Sequence, residues 1–322
     1  MNLIEAFESG NVEGVSSLPA KALETHISRL FFYENRVCKV YKYKHDLLIG
    51  NFGDFDFRRK FYAEDFSWNQ HMSPRIYLRL HSVKFEKGAW KDCPEEEAED
   101  YYIEMLKVDT ESTLLNRLLT QNVSKQNLKD VASVMTERIA GLAKIKRDQF
   151  DGFYEKGWHH LMNERIGDLR KWVSAAPGMP LERCAEIMSK LSGFFDKSDY
   201  FRSLGKEDLS IAIDNHSGNV LLIDGKIEFI DIYLPKVEWI PVDRMLNICR
   251  IAADVAAHMG MEAAEVLYEE YEKKTPLCPP DIRRFYKIYN AFLNEAYYLY
   301  IGRPGISKKF AAFVDKELPH LG

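Results

Sequence analysis

The chain has 322 residues, enough for two lobes around a cleft or for one large domain. Its 46% hydrophobic and 29% charged content excludes disorder as the overall state. Lys and Arg number 44 against 49 Asp and Glu, and the formal charge of −5 supplies no net field for drawing in nucleic acid or an anionic membrane, so neither is expected as a partner.

Cys38, Cys93, Cys184, Cys249 and Cys278 are odd in number, and none stands in a C-x-x-C pair or beside a His at metal-ligand spacing. Reduced thiols in a cytoplasmic protein are the expectation. The opening MNLIEAFESG carries acids rather than a basic leader, and no apolar run approaches the roughly 18 residues a membrane span needs. The most apolar stretch, residues 248–261, is interrupted by Arg250, Asp254 and His258.

In chain order, residues 28–43 (SRLFFYENRVCKVYKY) read as two strands about the polar turn Glu34-Asn35. Over 56–72, Phe57, Phe61, Phe66 and Trp68 alternate with charged residues at helical spacing. A strand pair at about 75–85 and 100–108 follows, joined by KGAWKDCPEEEAED, whose acidic run Glu95, Glu96, Glu97, Glu99 and Asp100 is expected in water. Helices are expected over 112–121, 125–147, 155–175 and 180–196, then a β island at 209–233 in which VLLI, Asp224-Gly225 and IEFIDI form a hairpin. Helices resume near Val242, with Pro279-Pro280 separating 261–273 from 281–302. The fold class is therefore α+β: a small β-rich lobe over 1–108, and a larger helical lobe over 109–322 that carries the hairpin 209–233.

The β island carries the candidate chemistry. Asp214 lies in a polar connection, Asn219 follows five residues later, and Asp231 lies on the expected return strand. Phosphoryl transfer is catalysed mainly by positioning and charge, and needs one carboxylate to take the acceptor proton. It also needs a carboxylate and an amide oxygen for Mg²⁺, which prefers hard oxygen ligands. Asp214 fits the base, and Asn219 and Asp231 the metal-binding pair. Asp214 and Asn219 alone also fit a solvated loop with an Asx-turn, but Asp231 interrupts an apolar stretch where an unpaired carboxylate is costly. Lys39, on the second strand of the first hairpin, could reach nucleotide phosphates if a carboxylate of the following helix fixes it; Glu64 is the first choice and Asp65 the second. A solvent-facing lysine is the alternative, since Lys42 and Lys44 lie close by.

With these residues in view, the chain resembles the aminoglycoside phosphotransferase branch of the protein-kinase-like superfamily. Glu24-Thr25-His26-Ile27-Ser28, residues 56–78, Leu222-Ile223-Asp224-Gly225 and Phe229-Ile230-Asp231 carry the likeness, which returns at Phe285-Tyr286-Lys287-Ile288-Tyr289. It implies a bilobal protein-kinase-like fold that uses ATP and Mg²⁺. Lys39 would take the nucleotide phosphates with Glu64 as its partner, Asp214 would be the base, Asn219 and Asp231 would hold the metal, and Asp243 would brace the catalytic loop. The strand end Glu104-Met105-Leu106-Lys107 would be the hinge whose backbone meets adenine, making Glu104 and Leu106 cofactor-binding positions. The chain departs from the pattern in having Ala212-Ile213 where His-Gly is usual and Asn247 where a second aspartate is expected, and no Gly-rich phosphate loop is visible between Leu18 and Phe32.

Adjacent histidines His159 and His160 project about 100° apart on a helix and are read as surface or packing residues. His216 lies within the catalytic loop, either near a bound phosphate or without a role. Cys38 should point away from Lys39 into the core, and Trp239, Tyr286, Tyr297, Tyr298 and Tyr300 should pack within the helical lobe. The expected function is ATP- and Mg²⁺-dependent transfer of the γ-phosphate to a hydroxyl of a small-molecule acceptor. A catalytically weak nucleotide-binding scaffold or sensor is the alternative, and a helical interaction protein with a chance motif the third. The sequence identifies neither the acceptor nor an oligomeric state.

Overall fold

The computed structural model describes residues 1–15, 18–25, 27–44, 51–234 and 236–322, so His26 of the segment at 24–28 lies outside the described residues. The chain forms two compact units: Met1–Thr110 with Glu228–Lys236, and Glu111–Ile227 with Val237–Gly322.

The first unit opens with helix α1 (Leu3–Ser9), which the sequence reading did not anticipate. Its start is fixed by a reciprocal cap: Asn2 accepts from the Glu5 amide, and the Glu5 carboxylate accepts from the Asn2 amide. Strands β1 (Lys21–Glu24), β2 (Ser28–Phe32) and β3 (Arg36–Tyr41) precede helix α2 (Phe55–Met72), and β4 (Tyr77–Glu86), β5 (Ala89–Asp92) and β6 (Asp100–Leu106) follow it. They build an antiparallel sheet of order β1-β2-β3-β6-β4-β5. The hairpin expected at 28–43 is β2/β3, in register from Ser28 opposite Tyr41 to Phe32 opposite Val37. The short strands β1 and β5 lie in polar segments that gave no alternating signal.

Phe7 of α1 stacks on Phe31 and meets the edge of Tyr102, closing a core with Leu3, Cys38, Val40, Val83 and Trp90. Cys38 thus lies in the core, as the strand alternation required. Asp100 corrects one expectation. It is not part of the solvated acidic run but is buried, where it accepts from the Arg58 guanidinium of α2 and from the Tyr43 hydroxyl. Arg58 also donates to the Tyr41 carbonyl at 3.0 Å, tying α2 to the end of β3.

The second unit holds α3 (Leu114–Leu119), α4 (Lys125–Lys146), α5 (Asp151–Tyr154), α6 (Trp158–Ala175), α7 (Leu181–Lys197) and α8 (Asp199–Ser203). Next come β7 (Leu209–Ile211), β8 (Val220–Ile223), β9 (Lys226–Phe229), whose last two residues belong to the first unit, and β10 (Pro241–Asp243), then α9 (Met245–Met259), α10 (Met261–Tyr271), α11 (Pro280–Tyr300) and α12 (Pro304–Glu317). β8 and β9 turn at Asp224 and Gly225, both left-handed at φ +50° and +71°, the backbone a tight hairpin turn demands. β10 pairs antiparallel with β7, Asp243 opposite Leu209. Helix α9 is apolar nearly all round and packs against α10, α11 and α12, as a central helix must. All five cysteines are free, and no helix among the described residues is long and apolar enough to cross a membrane.

Replacing Arg58 with Leu leaves Asp100 buried without its cation. The expected loss in urea unfolding is about 3–5 kcal/mol, whereas Arg59→Leu, at an exposed neighbour, should change stability by no more than about 0.5 kcal/mol.

Candidate functional site

Lys39 sits in β3 between strands β2 and β6, opposite Leu30 and Ile103. Its neighbours Cys38 and Val40 enter the core beneath α1, so strand alternation sends Lys39 to the opposite face. It is 3% exposed, and two carboxylates hold its ammonium: Asp231 Oδ1 at 2.6 Å and Asp65 Oδ2 at 3.5 Å. The Tyr41 ring adds a cation–π contact at 4.9 Å. Burial works against the charged form of Lys39, but Asp231 and Asp65 outweigh it and raise the pKa above the ordinary lysine value.

The helix partner is Asp65, the second of the two acids weighed, rather than Glu64. Successive side chains on a helix diverge by about 100°, and Asp65 shares the inner face of α2 with Tyr62 and Asn69. Its carboxylate accepts from the Tyr41 hydroxyl at 2.7 Å and from Asn69 Nδ2 at 2.9 Å. Burial raises its pKa, and Lys39 acts in the opposite direction. Glu64 instead accepts from Trp68 Nε1 at 3.2 Å.

Asp231 also differs from expectation. Strand β9 ends at Phe229, so Asp231 lies beyond the strand, and it adopts a left-handed backbone at φ +52° that few non-glycine residues take. Three main-chain anchors impose this course: Phe229 N to Ser73 Oγ at 2.6 Å, Asp231 N to the Tyr77 hydroxyl at 3.0 Å, and Ile232 N to Asn69 Oδ1 at 3.1 Å. Asn69 therefore serves both acids, donating to Asp65 and accepting from the chain beside Asp231. The Asp231 side chain stays 46% exposed while one oxygen binds Lys39.

At the expected hinge, Glu104 stands opposite Cys38 of β3 and Arg79 of β4, and its carboxylate pairs with Arg36 at 3.1 Å and His81 at 3.0 Å. Leu106, 38% exposed, donates its amide to the Ile76 carbonyl at 2.7 Å, and Lys107 N donates to Asn35 O at 3.0 Å. Both of these hinge amides are used within the first unit, by carbonyls just outside strands β4 and β3.

In the second unit, the loop from Ala212 to Asn219 joins β7 to β8. Asn219 Nδ2 donates to the Asp214 carbonyl at 2.8 Å, which fixes the orientation of the amide and places its oxygen at the other end. The Asp214 carboxylate is partly exposed and bound by Arg250 of α9. Asp243 is not the direct brace of this loop: it is buried in β10, accepting from Met245 N, the Tyr200 hydroxyl and the Tyr286 hydroxyl. Asn247 does the bracing. It accepts from Ile213 N at 3.2 Å, donates to Ile211 O at 2.8 Å, and its carbonyl receives Asn215 Nδ2 at 2.7 Å. A carboxylate could not donate to Ile211, which gives a physical reason for an amide at this position. Asp254 accepts from Ser217 N at 2.6 Å and from Asn294 Nδ2 at 2.5 Å, pinning the far side of the loop. His216 Nδ1 accepts from Gly218 N, and a Cβ on Gly218 would meet the His216 ring at 2.9 Å, so a larger residue there would displace that ring. His159 and His160 lie half-exposed on α6, in keeping with a surface role.

The sequence reading missed Asn69, Arg250, Asp254 and Asn294. Arg250 and Asp254 were visible as interruptions of the most apolar stretch in the chain, and they are the polar groups that α9 turns toward the loop. Asp231 in the first unit and Asn219 in the second each offer a hard oxygen of the kind Mg²⁺ prefers, and no cluster of three or more His, Cys, Asp or Glu side chains able to hold a metal alone occurs among the described residues.

No protein-family model matches this sequence, and no curated protein matches it. Solved structures do. The choline kinase LicA from Streptococcus pneumoniae is similar over 98% of this chain and 97% of its own, at 12% identity and a TM-score of 0.54. The GDP and kanamycin complex of APH(2")-IIia is similar over 98% of each chain, at 8% identity and a TM-score of 0.57. A ternary complex of the aminoglycoside phosphotransferase APH(4)-Ia with AMP-PNP and hygromycin B is similar over 98% of each, at 14% identity and a TM-score of 0.53. The chain thus has the α+β fold of aminoglycoside phosphotransferases and choline kinases, the protein-kinase-like class that the sequence resemblance implied.

A double-mutant cycle on stability separates the two acids of α2. Lys39→Met with Asp65→Asn should show a coupling of about 1–3 kcal/mol by chemical denaturation, while Lys39→Met with Glu64→Gln should be additive within about 0.5 kcal/mol.

Proposed function

We propose that this chain is a phosphotransferase that moves the γ-phosphoryl group of ATP to a hydroxyl of a small-molecule acceptor. The observation that carries the proposal is the buried Lys39 ammonium between Asp65 and the half-exposed Asp231. Replacing a buried ion pair with apolar side chains is often neutral or stabilising, so stability gives little reason for a charge at this position. A positive charge beside an accessible carboxylate is what binding a polyphosphate requires.

In this reading Lys39 binds phosphate oxygens, and Asp65 with the Tyr41 ring aims its ammonium. Asp231 and Asn219 would hold Mg²⁺, which when bound neutralises charge on the phosphate oxygens. Glu104 and Leu106 mark the strand end where adenine would lie. With two hinge amides already committed, adenine would have to use other backbone groups of that strand end. Asp214 orients the acceptor hydroxyl and takes its proton as the acceptor oxygen bonds to the γ-phosphorus. The bond from phosphorus to the β,γ-bridging oxygen breaks, and ADP leaves with that electron pair. The fold shared with choline kinases and with nucleotide-bound aminoglycoside phosphotransferases supports the reaction class.

One observation favours a second reading, a nucleotide-binding scaffold with weak turnover: Asp214 is engaged by Arg250, and the residues before it are the buried Ala212 and Ile213. Two variants separate the readings. Asp231→Asn should abolish the Mg²⁺-dependent part of AMP-PNP affinity in calorimetry. Asp214→Asn should keep that affinity and lose about 10²–10⁴-fold in turnover, the usual worth of a general base. Wild-type protein that binds no nucleotide at millimolar Mg²⁺ would defeat the proposal, and equal turnover in wild type and Asp214→Ala would establish the scaffold.

A further inference from the structure

Burial alternates along the loop that carries Asp214. Ile213, Asn215 and Ser217 are buried, whereas Asp214 and His216 are partly exposed. The inward residues are tied to α9 behind them: Asn215 Nδ2 donates to the Asn247 carbonyl at 2.7 Å, and Ser217 N donates to Asp254 at 2.6 Å. Asp214 and His216 therefore stand on the outer side of the loop. Two residues apart in the chain, their Cα atoms are separated by no more than about 7 Å.

Two contacts fix the His216 ring. Its Nδ1 accepts from Gly218 N at 3.1 Å, and the ring lies 5.8 Å, centroid to centroid, from that of Tyr297 on α11. A ring nitrogen that accepts from an amide holds no hydrogen, so the hydrogen of the neutral imidazole is on Nε2. Adding a proton to Nδ1 would set two hydrogens against each other and break the bond to Gly218. Nε2 is thus a donor, and any partner it takes must carry a lone pair. A hydroxyl, ether or carbonyl oxygen meets that condition, and an ammonium group does not.

Asp214 is the residue assigned to the proton of the acceptor hydroxyl, so a donor beside it on the same side of the loop faces the part of the acceptor that neighbours that hydroxyl. We propose that His216 determines acceptor specificity: its Nε2–H binds an oxygen adjacent to the reacting hydroxyl, and the chain acts on polyols or sugars in preference to amino alcohols that carry an ammonium there. This rests on the phosphotransferase reading and names its substrate class.

Initial rates of the full chain with ATP and Mg²⁺ on matched acceptors test it: ethylene glycol against ethanolamine, glycerol against serinol, and D-sorbitol against D-glucamine. The oxygen member of each pair should have a kcat/KM about tenfold or more above that of the amine. Two variants separate this role from simple support of the turn. In His216→Asn the side-chain oxygen can still accept from Gly218 N, but no donor reaches the position of Nε2; His216→Gln supplies a donor there and gives up the bond to Gly218. His216→Asn should erase the preference and His216→Gln should keep part of it, with urea unfolding to show that both fold. Preference for the amines, equal use of both members, wild-type selectivity in His216→Asn, or a wild type that binds AMP-PNP and phosphorylates none of the polyols would overturn the assignment. Failure of wild type to bind AMP-PNP would strike the phosphotransferase reading instead. Nitrogen NMR of the His216 imidazole is independent of that reading, and hydrogen found on Nδ1 would overturn the role given to His216.

Discussion

The ammonium of Lys39, enclosed in the first unit by Asp65 and Asp231, is the constraint around which the surrounding structure is arranged. An unpaired ammonium at this depth would shed its proton or destabilise the fold. Two carboxylates must therefore be delivered to one point from different parts of the chain. Asp65 arrives on α2 and is fixed by Tyr41 and Asn69. Asp231 arrives 192 residues after Lys39, and its backbone is fixed by Asn69, Ser73 and Tyr77. Helix α2 thus sets both partners, and Asn69 couples them directly. The left-handed backbone at Asp231 is local strain held in place by these three anchors.

The second unit solves a related problem with a different chemistry. Its loop has no backbone ladder of its own over Ile213–Asn219, so its polar groups must find partners in side chains. Asn247 and Asp254, about two turns apart on α9, supply them, and Arg250 lies between the two and binds Asp214. Three residues at i, i+3 and i+7 on one helix share a face, which is why a single helix can brace the loop and restrain its carboxylate together. Where the sequence resemblance led to an expectation of His-Gly, the chain buries the apolar Ala212 and Ile213.

Much of this was legible because the fold's periodicities are strong where burial is one-sided. The β2/β3 hairpin, α2 and the Asp224-Gly225 turn each have a local cause, and each lies where its spacing placed it. Strands β1 and β5 were not legible, because short segments become ordered through tertiary pairing that no local pattern announces, whereas α1 was missed although its Asn2 and Glu5 cap is a local signal. At the site, residue types were readable but geometry was not. Glu64 and Asp65 are adjacent acids, and only the rotation of α2 about its axis selects Asp65. Asp231 looked like a strand residue because Ile230 and Ile232 flank it, yet the side-chain anchors that pull it out of β9 come from residues more than 150 positions earlier. Asp100 was read with its acidic neighbours in water, since nothing nearby in sequence reveals Arg58 beneath it.

The central claim is that Lys39 and Asp231 act as one unit on a bound polyphosphate. A double-mutant cycle on Mg²⁺·AMP-PNP affinity, using Lys39→Met, Asp231→Asn and the pair, measures this directly. The account predicts that each single change removes most of the affinity and that the double variant is scarcely worse than either, a coupling above about 1 kcal/mol. Additive losses, or single variants that bind as well as wild type, would contradict it.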